Sequence, residues 1–134
     1  LGVSNRRDAE QSIRGGTRYL LQQYERFDDI PDERDRLFFA LAAYNVGYHH
    51  VRDAQLIAKE LGDDPERWSA MKRALPLLSV PEFYQKAEYG YARGEEPLSY
   101  VRHIRIYFDI LRQRAILGEI GHPGGISHDG IALG

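Results

Sequence analysis

Cysteine is absent from the 134-residue sequence, and no apolar run approaches the roughly 20 residues of a membrane-spanning helix. Without thiols the chain forms neither a disulfide nor a thiolate metal site, and it fits a reducing or an oxidising compartment equally well. An initial methionine is also missing, as is the basic segment followed by an apolar one that marks a secretory leader. The first residue, Leu1, therefore indicates a fragment or a processed product.

The sequence lacks an excess of positive charge as well. Eighteen lysines and arginines stand against twenty aspartates and glutamates, which gives a formal charge of -2 at pH 7. This balance does not build the positive field that attracts a phosphate polymer, so we predict no nucleic-acid partner. With 43% hydrophobic and 28% charged residues, the composition is that of a single soluble domain with one core.

What the sequence does contain is helical periodicity. Apolar residues recur three or four positions apart, and neither a strand pattern nor a repeat occurs, so we predict an all-α fold of about six helices. The first predicted helix is capped by Asp8 and reaches Phe27, and the second starts near Asp32 and includes Leu37–Tyr44. A third helix runs from Val51 to Leu61, and a fourth runs from an Asp64–Pro65 cap to Leu75. A short fifth helix starts at a Ser79–Glu82 capping box, and the sixth and longest runs from Leu98 to Leu117. The last helix has Val101, Phe108 and Leu111 at helical spacing, and we expect it to be a central packing element.

Two adjacent glycines, Gly15 and Gly16, interrupt the first predicted helix. Each glycine costs a helix about 1 kcal/mol relative to alanine. Close packing against a neighbouring element is therefore the predicted reason for both, which is a structural role.

The run from Leu37 to Tyr44 is apolar or aromatic at every position and ends at Asn45. A helix that is apolar on all sides is a buried central helix, which accounts for Phe38–Ala43 without any function. Asn45 allows two interpretations. As a buried amide it needs partners in the fold or in a ligand, because an unpaired one costs roughly 1–3 kcal/mol. Placed before Val-Gly, it could instead help to end the helix.

Five short segments resemble one protein family. LAAYNVG at 41–47 resembles the Ala-Tyr-Asn-x-Gly signature of the goose-lysozyme-like soluble lytic transglycosylases (SLT family). EQSIRGGTRYL at 10–20 is similar to the helix before that signature, and EPLSYV at 96–101 is similar to a later Glu-x-x-x-Tyr-Val element. LPLLS at 75–79 and YGYARGEE at 89–96 resemble a membrane-bound branch of the family. The segments keep a consistent order over about residues 1–112.

The resemblance implies a lysozyme-like helical lobe, with residues 1–117 as the C-terminal part of a catalytic domain and residues 118–134 as a flexible tail. It implies non-hydrolytic cleavage of the MurNAc–GlcNAc β-1,4 bond, which leaves 1,6-anhydromuramoyl ends. The expected partner is the glycan strand of peptidoglycan, and no cofactor is expected. By the same resemblance the parent protein works on the periplasmic side of the bacterial envelope, associated with the outer membrane through parts outside this chain.

The catalytic acid of the family has no counterpart in this sequence. That glutamate lies in a Glu-Ser motif followed by a Gly-Leu-Met segment, and neither is present. LGV at 1–3 resembles the segment directly after those motifs, so we expect the chain to begin after the catalytic helix and the acid to lie upstream of Leu1. We assign no residue as the acid and expect the isolated chain to be inactive. The alternative is a non-catalytic helical module that binds glycan or a protein partner.

By the resemblance, the chain supplies residues that support the active site and bind substrate: Tyr44, Asn45, Gly47, Glu96 and Tyr100. A phenol beside the acid can orient it, and an amide can bind sugar hydroxyls or N-acetyl groups. Gly47 is explained either by close backbone approach or by the end of the helix. Candidate residues of a saccharide groove, for which plain packing is an equal explanation, are Tyr89, Tyr91 and Arg93.

The remaining polar candidates have structural explanations. His49 and His50 are adjacent and point to different helix faces, which argues against joint metal ligation. His122 and His128 lie in the predicted tail, where solvated side chains are the default. Glu95 stands at a helix start, where the helix dipole favours an acidic residue. We therefore predict no metal site.

Overall fold

The computed structural model describes the backbone of residues 3–121 and the side chains of residues 15–118. Every regular element in this part of the chain is helical, so the predicted all-α class is confirmed. The elements are α1 (Val3–Arg26), α2 (Glu33–Val46), α3 (Tyr48–Glu60), α4 (Trp68–Ala74), a 3₁₀ helix (Leu75–Ser79), α5 (Pro81–Tyr84) and α6 (Glu95–Gly121). They fall into two compact units, with the boundary after Tyr100.

The core of the first unit is built around α2. Asp32 starts this helix as predicted, because its Oδ1 accepts a hydrogen bond from a first-turn backbone N–H at 2.9 Å. From Phe38 to Ala43 every side chain is buried, which confirms the prediction of a central helix. The Phe39 ring lies 5.6 Å from Phe27, in the turn directly after α1, and 5.9 Å from Trp68 of α4. Helix α2 therefore packs against the end of α1 and against α4 in one core.

The first and last helices are longer than predicted. Helix α1 begins at Val3 rather than after Asp8, because neither proline nor glycine stands between them. Helix α6 spans Glu95–Gly121 instead of Leu98–Leu117, so residues 118–121 of the predicted tail are helical. The rest of that tail, residues 122–134, lies outside the described residues.

Two predicted caps act differently in the structure. Asp64 caps only a turn, where its Oδ1 accepts the Glu66 N–H at 2.9 Å, and α4 begins afterwards at Trp68. The Ser79–Glu82 capping box does not form, because the Ser79 hydroxyl donates to the carbonyl three residues earlier at 2.9 Å. A local hydrogen bond of the 3₁₀ helix thus replaces the predicted cap.

The expectation that α6 is a central packing element is wrong beyond Tyr100. Val101 is buried, but Phe108 and Leu111 are 56% and 39% exposed. Exposed large apolar residues continue along the helix: Ile106, Tyr107, Ile110, Ile116 and Leu117. Helical spacing predicts which residues share a face, but not what covers that face. Within residues 3–121, no helix combines the length and the apolar composition that crossing a membrane requires.

Arg52 joins α3 to the segment that follows α1. Its guanidinium binds the two carboxylate oxygens of Asp29, each at 2.9 Å, and its Nε donates to the Tyr48 hydroxyl at 2.8 Å. The Arg26 guanidinium lies over the Tyr48 ring, 3.5 Å from its centroid. The hydrogen bonds from Arg52 lower the pKa of Asp29, because they favour its carboxylate.

Candidate functional site

Tyr44 and Tyr100 lie against each other. Tyr44 stands in the last turn of α2 and Tyr100 near the start of α6. Their rings are parallel within 3°, with centroids 6.2 Å apart. The two tyrosines that the resemblance singles out are therefore neighbours, although they are far apart in sequence. Tyr44 is 38% exposed, so part of this phenol faces solvent.

Helix α1 supplies the surroundings of the Tyr44 phenol. The Tyr19 ring is tilted by 57° against it, with centroids 5.6 Å apart. Gly16 lies one turn earlier in α1, and a Cβ built there would be 2.8 Å from the Tyr44 hydroxyl oxygen, too close for real contacts. Close packing is thus confirmed for Gly16. The described residues show no such packing at Gly15, where none of their atoms lies within 4 Å of a built Cβ.

The surroundings of Tyr100 raise its pKa. Burial penalises the phenolate, and a negative charge on the neighbouring Tyr44 would oppose it further. Tyr100 therefore keeps its proton at neutral pH. Its hydroxyl can donate a hydrogen bond as well as accept one.

Asn45 is exposed, which overturns its interpretation as a buried amide, because the surface of α2 reaches solvent just after Phe38–Ala43. Asn45 does not end the helix either. Helix α2 continues to Val46, and Gly47, with a φ of +105°, follows as the capping residue and donates its N–H to the Ala43 carbonyl at 2.9 Å. Among the described residues the Asn45 carboxamide makes no hydrogen bond. Neither its donor nor its acceptor end is thus occupied by a described residue.

The backbone at Gly47 supports the end of the helix as one of its two explanations. Its positive φ is a conformation that L side chains rarely adopt. Among the described residues, a Cβ built at Gly47 would meet the His50 ring at an ordinary 3.8 Å, so their packing does not require glycine here. Gly47 therefore shapes the backbone between α2 and α3.

Glu96 lies on α6 one turn before Tyr100, on the same face of the helix. Its Oε1 is 3.7 Å from Nη1 of Arg93, and both side chains are more than half exposed. Glu95 is exposed in the same first turn, where the helix dipole favours its charge. Glu96 and Arg93, predicted for different parts of the site, thus form one ion pair.

The position of the catalytic acid stays a prediction. The acid is expected upstream of Leu1, and Leu1 itself lies outside the described residues. The carboxylates on the same helix as Tyr100 include those of Glu95 and Glu96, but neither residue belongs to a Glu-Ser pair. Neither is therefore assigned as the acid.

Tyr89 and His49 form an exposed aromatic stack, with ring centroids 4.2 Å apart and planes 18° apart. The backbone N–H of Tyr89 donates to Oδ2 of Asp53 at 3.0 Å, and Asp53 is only 4% exposed. The next tyrosine, Tyr91, meets Tyr84 edge-on at 5.5 Å. The sequence interpretation misses His49 and Asp53 here. The one sequence signal that could have pointed to Asp53 is its acidic side chain among the apolar positions of α3.

The segment Tyr89–Gly94 is fixed against the 3₁₀ helix. The Ala92 N–H donates to the Leu78 carbonyl at 3.1 Å. A Cβ at Gly94 would overlap the carbonyl oxygen of Leu75, so only glycine fits at this approach. The three candidate groove residues are therefore carried by an anchored segment.

The described side chains include no group of three or more His, Asp or Glu residues arranged to hold a metal ion. His49 stacks on Tyr89 instead. His122 and His128 lie outside the described residues.

Comparison with known proteins shows which proteins this chain is similar to. Residues 1–66, which include the Tyr44–Asn45 segment, match the family model of the Transglycosylase SLT domain. The chain is thus similar to the SLT-domain transglycosylases, the family that the sequence segments resemble. Within that class, the similar proteins carry the name membrane-bound lytic murein transglycosylase F.

Three of these relatives illustrate the extent of the similarity. The protein from Desulfosudis oleivorans is 54% identical over 114 residues, which are 85% of this chain and 25% of that protein. The one from Marinobacter nauticus is 50% identical over 83% of this chain and 22% of its own length. The one from Pseudomonas putida is 44% identical over 96% of this chain and 28% of its own length. The chain therefore spans about a quarter of the relatives it matches.

Proposed function

We propose that the chain is part of a peptidoglycan lytic transglycosylase, in which Tyr44, Asn45 and Tyr100 line the sugar-binding surface. The contact between Tyr44 and Tyr100, with centroids 6.2 Å apart, carries this proposal, because it brings two separate sequence elements of the family together. Asn45 follows Tyr44 directly and is exposed. The relatives' name, lytic murein transglycosylase, supports the same substrate.

The proposed reaction cleaves the β-1,4 bond between MurNAc and GlcNAc without water. A carboxylic acid donates its proton to the glycosidic oxygen as the bond from that oxygen to C1 of MurNAc breaks. The C6 hydroxyl of the same MurNAc attacks C1, and the carboxylate takes the proton that this hydroxyl loses. The products are a free GlcNAc 4-hydroxyl and a 1,6-anhydromuramoyl end, and the acid is regenerated.

The site residues of this chain orient groups in that reaction. The Tyr44 and Tyr100 hydroxyls can hold the acid or the sugar, and the raised pKa of Tyr100 keeps its proton in place. The Asn45 carboxamide suits an N-acetyl group, because its acceptor and donor match the N–H and carbonyl of that group. Gly47 sets the backbone beside the signature, and Glu96 shares a helix face with Tyr100.

We assign the catalytic acid to residues outside this chain, upstream of Leu1. The 134 residues contain neither a Glu-Ser pair nor a Gly-Leu-Met segment. The chain alone would then bind glycan without cleaving it. The absence of both motifs also favours the second candidate function, a non-catalytic helical module that binds glycan or a protein.

The exposed stack of Tyr89 on His49 is proposed as a further contact for the same glycan. Aromatic rings offer apolar faces to sugar rings and polar tips to their hydroxyls. Tyr91 and Arg93 belong to the same anchored segment and would add to this groove. The relatives' name, membrane-bound lytic murein transglycosylase, supports a location in the bacterial envelope. The periplasmic side and the outer membrane are our proposal within that envelope.

Glycan binding tests the proposal on the chain itself. Titration of the isotopically labelled chain with a GlcNAc–MurNAc tetrasaccharide should shift the Asn45 carboxamide resonances in a saturable way. Asn45→Ala should weaken binding, whereas Gln22→Ala, at another exposed amide, should leave it unchanged. No saturable shift in the wild-type chain would contradict the proposed site.

Digestion of purified sacculi tests the assignment of the acid. The chain alone should release no anhydromuropeptides detectable by mass spectrometry, because orienting groups without an acid cannot protonate the leaving oxygen. Release above a buffer control would show that a carboxylate within these residues serves as the acid.

A further inference from the structure

We propose that Gly16 is a positioning residue for the candidate site, because the absence of a side chain there allows the Tyr44 phenol to lie against Tyr100. The inference rests on the function proposed above for these two tyrosines. Its geometric part can be tested without any glycan.

The contact at Gly16 involves the tip of the Tyr44 phenol. A Cβ built on Gly16 would be 2.8 Å from the Tyr44 hydroxyl oxygen but 3.9 Å from the ring carbon Cζ that carries it. The second distance is an ordinary van der Waals contact. A side chain at position 16 would therefore conflict with the hydroxyl and leave the ring itself acceptable.

The Tyr44 ring has little freedom to avoid that conflict. It is flanked by Tyr19, at 5.6 Å between centroids, and by Tyr100, at 6.2 Å. Tyrosine turns about only two side-chain torsions, and both Gly16 and Tyr44 are fixed in helices. Moving the hydroxyl away from α1 must therefore disturb the contact with one of the flanking rings.

The neighbouring glycine provides a matched control. Gly15 belongs to the same helix, yet a Cβ built there would have no atom of the described residues within 4 Å. Gly15→Ala should therefore keep the ring contact between positions 44 and 100. The same methyl group added one residue later should disturb it.

The test measures nuclear Overhauser effects between the rings at positions 44 and 100 in four variants of the chain. The effects should persist in Gly15→Ala and in Tyr44→Phe, disappear in Gly16→Ala, and return when Gly16→Ala is combined with Tyr44→Phe. Removing the hydroxyl restores the space, which a general destabilisation of α1 would not do. If Gly16→Ala fails to fold, a folded double variant with the ring contact supports the inference.

Two results would overturn the positioning role. One is an unchanged ring contact in Gly16→Ala, and the other is a double variant that stays unfolded or lacks the contact. Titration with the GlcNAc–MurNAc tetrasaccharide separates this inference from the proposed function. The nuclear Overhauser effects in the four variants can follow the expected pattern while the wild-type chain binds no tetrasaccharide. In that case the proposed function fails and the packing role of Gly16 stands. If Gly16→Ala loses the ring contact yet binds as the wild type does, Gly16 does not position the site.

Discussion

The buried carboxylate of Asp53 accepts a hydrogen bond from the backbone N–H of Tyr89 at 3.0 Å. Asp53 belongs to α3, whereas Tyr89 lies in the segment before α6. The ring of Tyr89 stacks on His49, which is also in α3. One helix thus holds both the backbone and the ring of the same residue, and the exposed aromatic pair is fixed from within the protein.

Asp53→Ala should lower the free energy of unfolding by about 1–3 kcal/mol, because the Tyr89 N–H loses its acceptor. Asp53→Asn keeps an acceptor oxygen and should cost clearly less. Urea unfolding of the two variants measures the difference. Equal losses would contradict a hydrogen-bonding role for this carboxylate.

The ion pair of Asp29 with Arg52 should make the stability depend on pH in the acid range. The pKa of Asp29 is lowered from 3.8, so its contribution is present above that value and is lost as the pH falls through the lowered pKa. Asp29→Asn should therefore destabilise the chain near neutral pH and have no effect in strong acid. Because the Asp29 side chain is 49% exposed, solvent screening keeps the effect below about 1 kcal/mol.

Urea unfolding of the wild type and Asp29→Asn across the acid range checks this dependence. The two curves of unfolding free energy against pH should converge as the pH falls. Curves that stay parallel would show that the ionisation of Asp29 does not contribute to stability.

Tyr44→Phe should lower the pKa of Tyr100 without returning it to its usual value of 10.0. The substitution removes the phenolate charge on Tyr44, but burial, the larger cause of the raised pKa, remains. A raised pKa means that the contribution of Tyr100 to stability is present below pH 10.0 and is lost as the pH rises through the raised pKa. Carbon-13 NMR titration of the labelled phenol measures the change. An unchanged pKa would contradict electrostatic coupling between the rings.

The features that the sequence predicts well depend on neighbours within one helix. The burial of Phe38–Ala43 follows from a run that is apolar on every side, and Gly47 follows α2 because only glycine readily adopts its positive φ. Of the two interpretations of Asn45, the buried amide is wrong, because an apolar run does not reveal where the helix surface leaves the core. Its exposed position is visible only in three dimensions.

Contacts between distant segments are harder to predict. No periodicity relates Arg52 to Asp29 or Asp53 to Tyr89, since the partners in each pair lie in different elements. Only the family resemblance links Tyr44 with Tyr100. The apolar residues of α6 show the same limit, because their spacing predicts a face without naming what covers it.

The central claim is that Asn45 and the two adjacent tyrosines bind glycan beside the acid of a lytic transglycosylase. The initial rate of anhydro-product formation by the complete protein with Asn45→Ala, compared with a thermal melt of the same preparation, tests it most directly. Because Asn45 is exposed and makes no hydrogen bond among the described residues, the free energy of unfolding of the Asn45→Ala variant should stay within about 0.5 kcal/mol of wild type. Loss of a sugar contact should remove about 2–4 kcal/mol of transition-state stabilisation, so the rate should fall about tenfold to several hundredfold. A wild-type rate with a lowered melting temperature would contradict the account and assign Asn45 to the architecture of α2.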